Sequence, residues 1–289
     1  LLEEEIRGIL ADSSGRWWAG TYTGLYTGSA PGAPVKKTNN FTTVWDFLPV
    51  GNDCWLLALE RPNGLITWNR TSNKVVSTAR VEGLVHSAKM SQALKLCQDF
   101  RGHIWAGTYK GLLHSAPGPA YDFRIFKDPV TGDAFNQAFI RAILHDADSS
   151  IWIGAQDGVY RLIFNKRKMR YEPDPNAPYL KNSVIIDFYQ DRTGNIWIAT
   201  RDSGIFCRQK STGIFRRYDM ENGLSNNATC RIESSHNDQV LWISTHNGLS
   251  RLHVPSGIFH NFYEESGFPG HEFNAAASAT FPNGTMLFG

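Results

Sequence analysis

The chain has 289 residues, 42% of them hydrophobic, with 29 Lys and Arg against 27 Asp and Glu for a net charge of +2. That balance excludes intrinsic disorder and gives no whole-chain electrostatic case for nucleic acid or an anionic membrane. No apolar run reaches the ~20 residues of a spanning helix, no signal peptide is visible, and a start at Leu1 instead of Met reads as a segment of a longer protein.

One motif returns along the chain. Asp12–Tyr26 reads DSSGRWWAGTYTGLY, and a divergent copy, GNDCWLLALERPNGLITW, covers 51–68. Asp99–Leu113 (DFRGHIWAGTYKGLL), Asp146–Tyr160 (DADSSIWIGAQDGVY) and Asp191–Phe206 (DRTGNIWIATRDSGIF) are close copies. A looser one covers 237–252 (NDQVLWISTHNGLSRL), and PNGTMLFG (282–289) is cut off. The shared tryptophan falls at Trp18, Trp55, Trp105, Trp152, Trp197 and Trp242, with Leu287 in its place at the end. A period of about 45 residues suits either four-stranded propeller blades or helical repeats. The β-branched and aromatic runs Ile151–Gly154 and Ile196–Ala199, punctuated by Gly and Asn, decide for strands.

One blade reads strand by strand. Residues 184–190 form the apolar innermost strand, Asp191–Gly194 a tight turn, 195–200 the second strand and 201–204 another turn. Residues 205–209 form the third strand, 211–213 a turn, 214–218 the outer strand, and 221–227 cross to the next blade. The fold expected is therefore all-β: one seven-bladed β-propeller over 1–289 with an incomplete last blade. Its blades would span about 1–43, 44–90, 91–138, 139–181, 182–227, 228–272 and 273–289. The tryptophans are expected to wedge between blades and the turn aspartates to serve structure. The 146–150 turn faintly resembles a calcium loop but lacks its Gly and distal Glu.

These residues resemble the two-component regulator propeller repeat, D-x-x-G-x-(I/L)-W-(I/V)-G-T-x-x-G-(L/I)-x-x-Y. Asp99, Gly102, Trp105, Gly107, Thr108 and Gly111 match it, as do Asp191, Gly194, Trp197, Thr200 and, with one extra residue, Gly204. The resemblance implies the extracytoplasmic, periplasmic sensor region of a membrane-anchored receptor, many of which are hybrid histidine kinases sensing glycan fragments. The segment itself would not be an enzyme. Kinase and membrane anchor would lie elsewhere in the parent, and signalling by two copies would imply a homodimer. The second repeat departs from the pattern, without the Asp-x-x-Gly turn or the Gly-Thr pair.

Two loop families should share one face of the ring: the turns between second and third strands, and the crossings between blades. They give Tyr22, Thr23, Asn63, Tyr109, Lys110, Gln156, Asp157, Arg201, Asp202, His246 and Asn247, and Asn136, Gln137, Asn182, Asn226, Asn227, His271, Glu272, Phe273 and Asn274. These vary while the framework does not, as for specificity carried on a scaffold; the plain alternative is solvated turn surface. Asn, Gln, His and Tyr suit a polyol, aromatic faces stack on sugar rings, and Arg201 and Lys110 could hold a carboxylate such as a uronic acid. An oligosaccharide ligand is expected, with no cofactor, no metal and no nucleic acid.

The sequence holds no HExxH, GxSxG, P-loop or GxGxxG. The four cysteines, Cys54, Cys97, Cys207 and Cys230, form no CxxC and read as small buried hydrophobes, with disulfides left open. The rival readings are a propeller hydrolase or lyase, marked by a His/Glu cluster with turnover, and a protein-interaction platform, marked by a broad apolar outer edge.

Overall fold

In the third, fourth and fifth blades the turn between the first two strands is tied together by its own aspartate. Oδ1 of Asp99 accepts the backbone N–H of Arg101 and of His103 at 2.9 and 3.0 Å, and its Oδ2 accepts the indole N–H of Trp105 at 3.2 Å. Asp146 and Trp152 (2.7 Å) and Asp191 and Trp197 (3.0 Å) repeat the arrangement. The turn closes through a left-handed residue, Gly102 at φ 78° and Gly194 at φ 85°. In the fourth copy Ser149 takes that conformation, at φ 70°.

The computed structural model describes residues 5–51, 53–60, 64–81, 92–118, 120–127, 138–235, 237–267, 272–275 and 277–289. They form a β-propeller of antiparallel blades. The first blade comprises Ile6–Ala11, Trp17–Thr21, Gly24–Gly28 and Lys36–Asn39, from the channel outward. Four-stranded blades follow from Val44–Pro49 out to Lys74–Thr78, Ala93–Gln98 to Asp122–Ile125, Ile140–His145 to Arg170–Pro173, Ile185–Gln190 to Phe215–Tyr218, and Thr229–Ser235 to Ile258–Phe262. The third carries an extra parallel strand, Arg80–Val81, on its outer edge. A two-stranded seventh sheet, Ser278–Thr280 and Met286–Phe288, packs its inner strand between those of the first and sixth blades.

The core lies between blades. Trp18 packs with Val44 and Phe47 of the second blade, Trp105 with Ile140 and Ile153 of the fourth, Trp152 with Ile185 and Ile198 of the fifth, and Trp197 with Ile232 and Ile243 of the sixth. The repeat's glycine after Trp has a steric cause: a Cβ on Gly154 would lie 2.5 Å from Ile185 Cγ2, and one on Gly107 2.6 Å from Ile140 Cγ2. The next blade's inner strand occupies that space.

Two tryptophans depart from expectation. Trp55 is buried, but the strand pairing puts Leu56, not Trp55, at the position of Trp18: Leu48 faces Leu56 as Leu10 faces Trp18. Trp55 therefore turns back toward Trp18 of the preceding blade, ring centres 4.5 Å apart. A one-residue slip in a strand sends a side chain to the opposite face. Trp242 holds the repeat position but stays half-buried, lining a groove of about 420 Å³ with Leu249, Phe262, Met286 and Phe288 beside the two-stranded seventh sheet. Cys207 and Cys230 are buried, Cys54 and Cys97 half-buried, and all four are free thiols.

Candidate ligand site at the channel mouth

The turn between second and third strands is built by the repeat's threonine. Thr108 Oγ1 donates to the carbonyl of Gly111 at 2.9 Å and accepts the N–H of Lys110 at 3.0 Å. Thr200 with Gly204 and Ser203, and Thr245 with Gly248 and Asn247, do the same. The two residues after each threonine are thereby pushed to the turn's tip. These turns also bond to the crossings: Arg201 N–H donates to Val184 O at 3.0 Å, His246 N–H to Ala228 O at 2.9 Å, and Asn182 N–H to Asp157 O at 3.0 Å. Turn tips and crossings thus lie side by side on one face.

The channel is lined from the innermost strands. Each of the six carries a register shift after its first paired residue, with Arg7, Trp45, Leu94, Arg141, Ile186 and Cys230 at the irregular step. A bulge of this kind re-aims a side chain out of the ladder. Arg7, Trp45, Leu94, Arg141 and Ile186, with Ala275, enclose a cavity of only about 30 Å³. On four of the six strands the next residue joins an ion pair between neighbouring blades. Asp46 meets Lys95 at 3.2 Å and accepts the N–H of Leu96, and Asp187 meets Arg231 at 2.8 Å and accepts the N–H of Ile232. Burial pushes the Asp187 carboxyl up from its usual value, against the pull of Arg231.

Over the mouth runs an arc of aromatic rings. Tyr22, 45% exposed, sits edge-on to Trp45 with centres 6.5 Å apart. Trp45 sits edge-on to Tyr109 at 6.4 Å, and Tyr109 stacks on Phe139 at 4.9 Å. Cations cap both ends: the Arg7 guanidinium lies 4.4 Å from the Tyr22 ring and 5.0 Å from Trp45, and that of Arg141 5.3 Å from Phe139. Trp45 Nε1 and Arg7 Nε are buried without a hydrogen-bond partner among the described residues. The arc offers apolar faces, ring-edge donors and positive charge together.

Of the residues singled out in the sequence, the structure brings Tyr22 and Tyr109 into the arc, with Lys110 beside Tyr109 on the same turn. Gln156, Arg201, His246 and Asn247 are exposed turn-tip residues. Three others are occupied by the fold: Asp157 accepts the Tyr160 hydroxyl at 2.8 Å, Asp202 that of Ser203 at 2.9 Å, and Asn227 Oδ1 the N–H of Met220 at 2.9 Å. Asn274 donates its N–H to Gly289 O at 2.6 Å. His271, Asn63, Asn136 and Gln137 lie outside the described residues. Sequence reasoning missed Arg7, Trp45, Phe139 and Arg141. For Arg7 and Arg141 a signal was present: with Leu94 and Ile186 they precede Trp18, Trp152, Trp105 and Trp197 by one constant spacing. Among the described residues no three His, Cys, Asp or Glu side chains are grouped to hold a metal ion.

Residues 179–202 match the two component regulator propeller family, so this stretch carries that repeat. A comparison with curated proteins finds no match. Among solved structures, the fold is similar to the extracellular domain assigned to the hybrid two component system BT3049 from B. thetaiotaomicron, with a TM-score of 0.80 and 20% identity, covering 100% of this chain and 38% of that one. The corresponding domain of BT4673 from the same organism gives a TM-score of 0.73 at 18% identity, covering 99% and 37%. Virginiamycin B lyase from Staphylococcus aureus gives 0.72 at 12% identity, covering 99% and 92%. The chain thus spans less than two-fifths of the two-component domains it resembles.

Proposed function

We propose that this chain is the extracellular ligand-sensing propeller of a two-component signalling receptor, that it takes a poly- or oligosaccharide at the channel mouth, and that it relays occupancy to a kinase outside these residues. The observation that carries the reading is the arc of Tyr22, Trp45, Tyr109 and Phe139. Rigid aromatic faces with ring-edge donors over a shallow floor match the alternating apolar and hydroxylated surfaces of a sugar. The two-component repeat and the likeness to extracellular domains of such systems support the signalling part. No catalytic step is assigned to the mouth. A thermal-shift panel of defined neutral and charged oligosaccharides tests the reading, with product analysis after prolonged incubation. A shift for one glycan class without product is expected. Product formation would make the chain an enzyme, and no shift across the panel would overturn the saccharide reading.

A further inference from the structure

The cations of the channel are not equally answered. Lys95 has Asp46 at 3.2 Å, Arg231 has Asp187 at 2.8 Å, and Arg7 has Glu5 at 2.8 Å. Arg141, on the inner strand Ile140–His145, is half-buried and makes neither hydrogen bond nor ion pair with the described residues. Its guanidinium lies over the face of Phe139 at 5.3 Å. Burial first, then the neighbouring Arg201 and, more weakly, Arg7 push its pKa down from the ordinary arginine value, against the opposing influence of Tyr109. A half-buried guanidinium pressed by like charges costs the fold free energy unless something binds it.

We propose that the mouth selects an acidic saccharide, whose anionic group docks on Arg141 while its ring lies against the stacked Tyr109–Phe139 pair. This rests on the saccharide reading and adds the charge of the ligand. Arg141 meets Phe139, and Phe139 stacks on Tyr109 at 4.9 Å, so anion site and stacking surface are contiguous. A guanidinium presents a planar fork to two oxygens, the edge shared by a uronic-acid carboxylate and a sulfate ester. Arg7 is already held by Glu5 and two rings and adds positive potential at the arc's other end.

The test is calorimetric titration of the 289-residue chain with acidic oligosaccharides and their neutral counterparts. The series pairs oligogalacturonate with its carboxyl-reduced form, and a sulfated oligosaccharide with its desulfated form. The expected result is binding of at least one acidic member at least about tenfold tighter than its neutral counterpart, weakening with salt. The pair that shows it identifies carboxylate or sulfate as the source. Arg141→Gln should abolish the preference, Arg141→Lys should retain part of it, and Arg192→Gln, on a turn of the opposite face, should keep it whole. Because Arg141 has no ionic or hydrogen-bonding partner among the described residues, R141Q should melt no lower than the parent, whereas losing a structural arginine would lower the melting temperature. Equal binding of acidic and neutral members, or a preference that survives in R141Q, would overturn the acidic selection and leave the saccharide reading standing. Binding of no member, charged or neutral, would overturn both.

Discussion

The indole N–H of Trp152 donates to Oδ2 of Asp146 at 2.7 Å, joining the first turn of a blade to the side chain that wedges into the next. Asp191 and Trp197 make the same bond while Asp191 Oδ1 also accepts the N–H of Thr193 and of Asn195. Aspartate and tryptophan are thus one device, and this fixes their spacing in the repeat. Asp191→Ala leaves the buried Trp197 indole N–H and several part-buried donors unpaired and should cost about 2–4 kcal/mol in chemical denaturation. Asp53, in the second blade, which lacks this turn, is half exposed; Asp53→Ala should cost under about 1 kcal/mol.

Gly154 lies against Ile185 with no room for a methyl group. Gly154→Ala should destabilise by about 1–3 kcal/mol through overpacking. Ala199 fills the equivalent place in the fifth blade and is fully buried, so Ala199→Gly should cost no more than about 1 kcal/mol. Equilibrium unfolding of the two variants checks the contrast.

Trp197 is 1% exposed in a complete interface, whereas Trp242 lines an open groove. Trp197→Ala should cost about 3–5 kcal/mol, and Trp242→Ala distinctly less, because part of its surface already meets water. Comparable losses in the two would show that Trp242 is covered in solution.

Burial holds His114 neutral, lowering its pKa to about 4 from 6.5, and the rings of Trp105 and Phe126 pack against it. The unfolded chain takes up a proton near pH 6.5 while the folded chain waits until about pH 4, so stability is full above pH 6.5 and drains as pH falls between those values. His103 and His145 are displaced the same way, also first by burial. The His114 contribution is at most about 3 kcal/mol. Melting temperatures from pH 7 to pH 4.5 should fall, and His114→Gln should flatten the slope.

The framework was legible because the same constraints recur from blade to blade through most of the ring. Asp closes a turn and holds Trp, Gly admits the neighbouring inner strand, and Thr caps the second turn, so each appears at a fixed spacing. Trp55 shows where that reading breaks. In the divergent second repeat the tryptophan is shifted by one residue, and without the pairing nothing marks Leu56 as its substitute. At the mouth, Tyr22 and Tyr109 were visible because they follow the threonine of the turn. Arg7, Trp45 and Arg141 were hidden because they sit inside strands read as apolar, where a bulge aims them into the channel. Alternation alone assigns such residues to a blade face, not to the channel.

The most direct test of a saccharide site on the aromatic arc is glycan-array binding by the parent chain, Tyr109→Ala and Trp45→Ala, each first checked for an unchanged circular dichroism spectrum. Binding of the parent to one glycan class, lost or reduced at least about tenfold in both variants, is the predicted result. Parent binding that both variants retain would place the ligand elsewhere on the propeller and contradict the account.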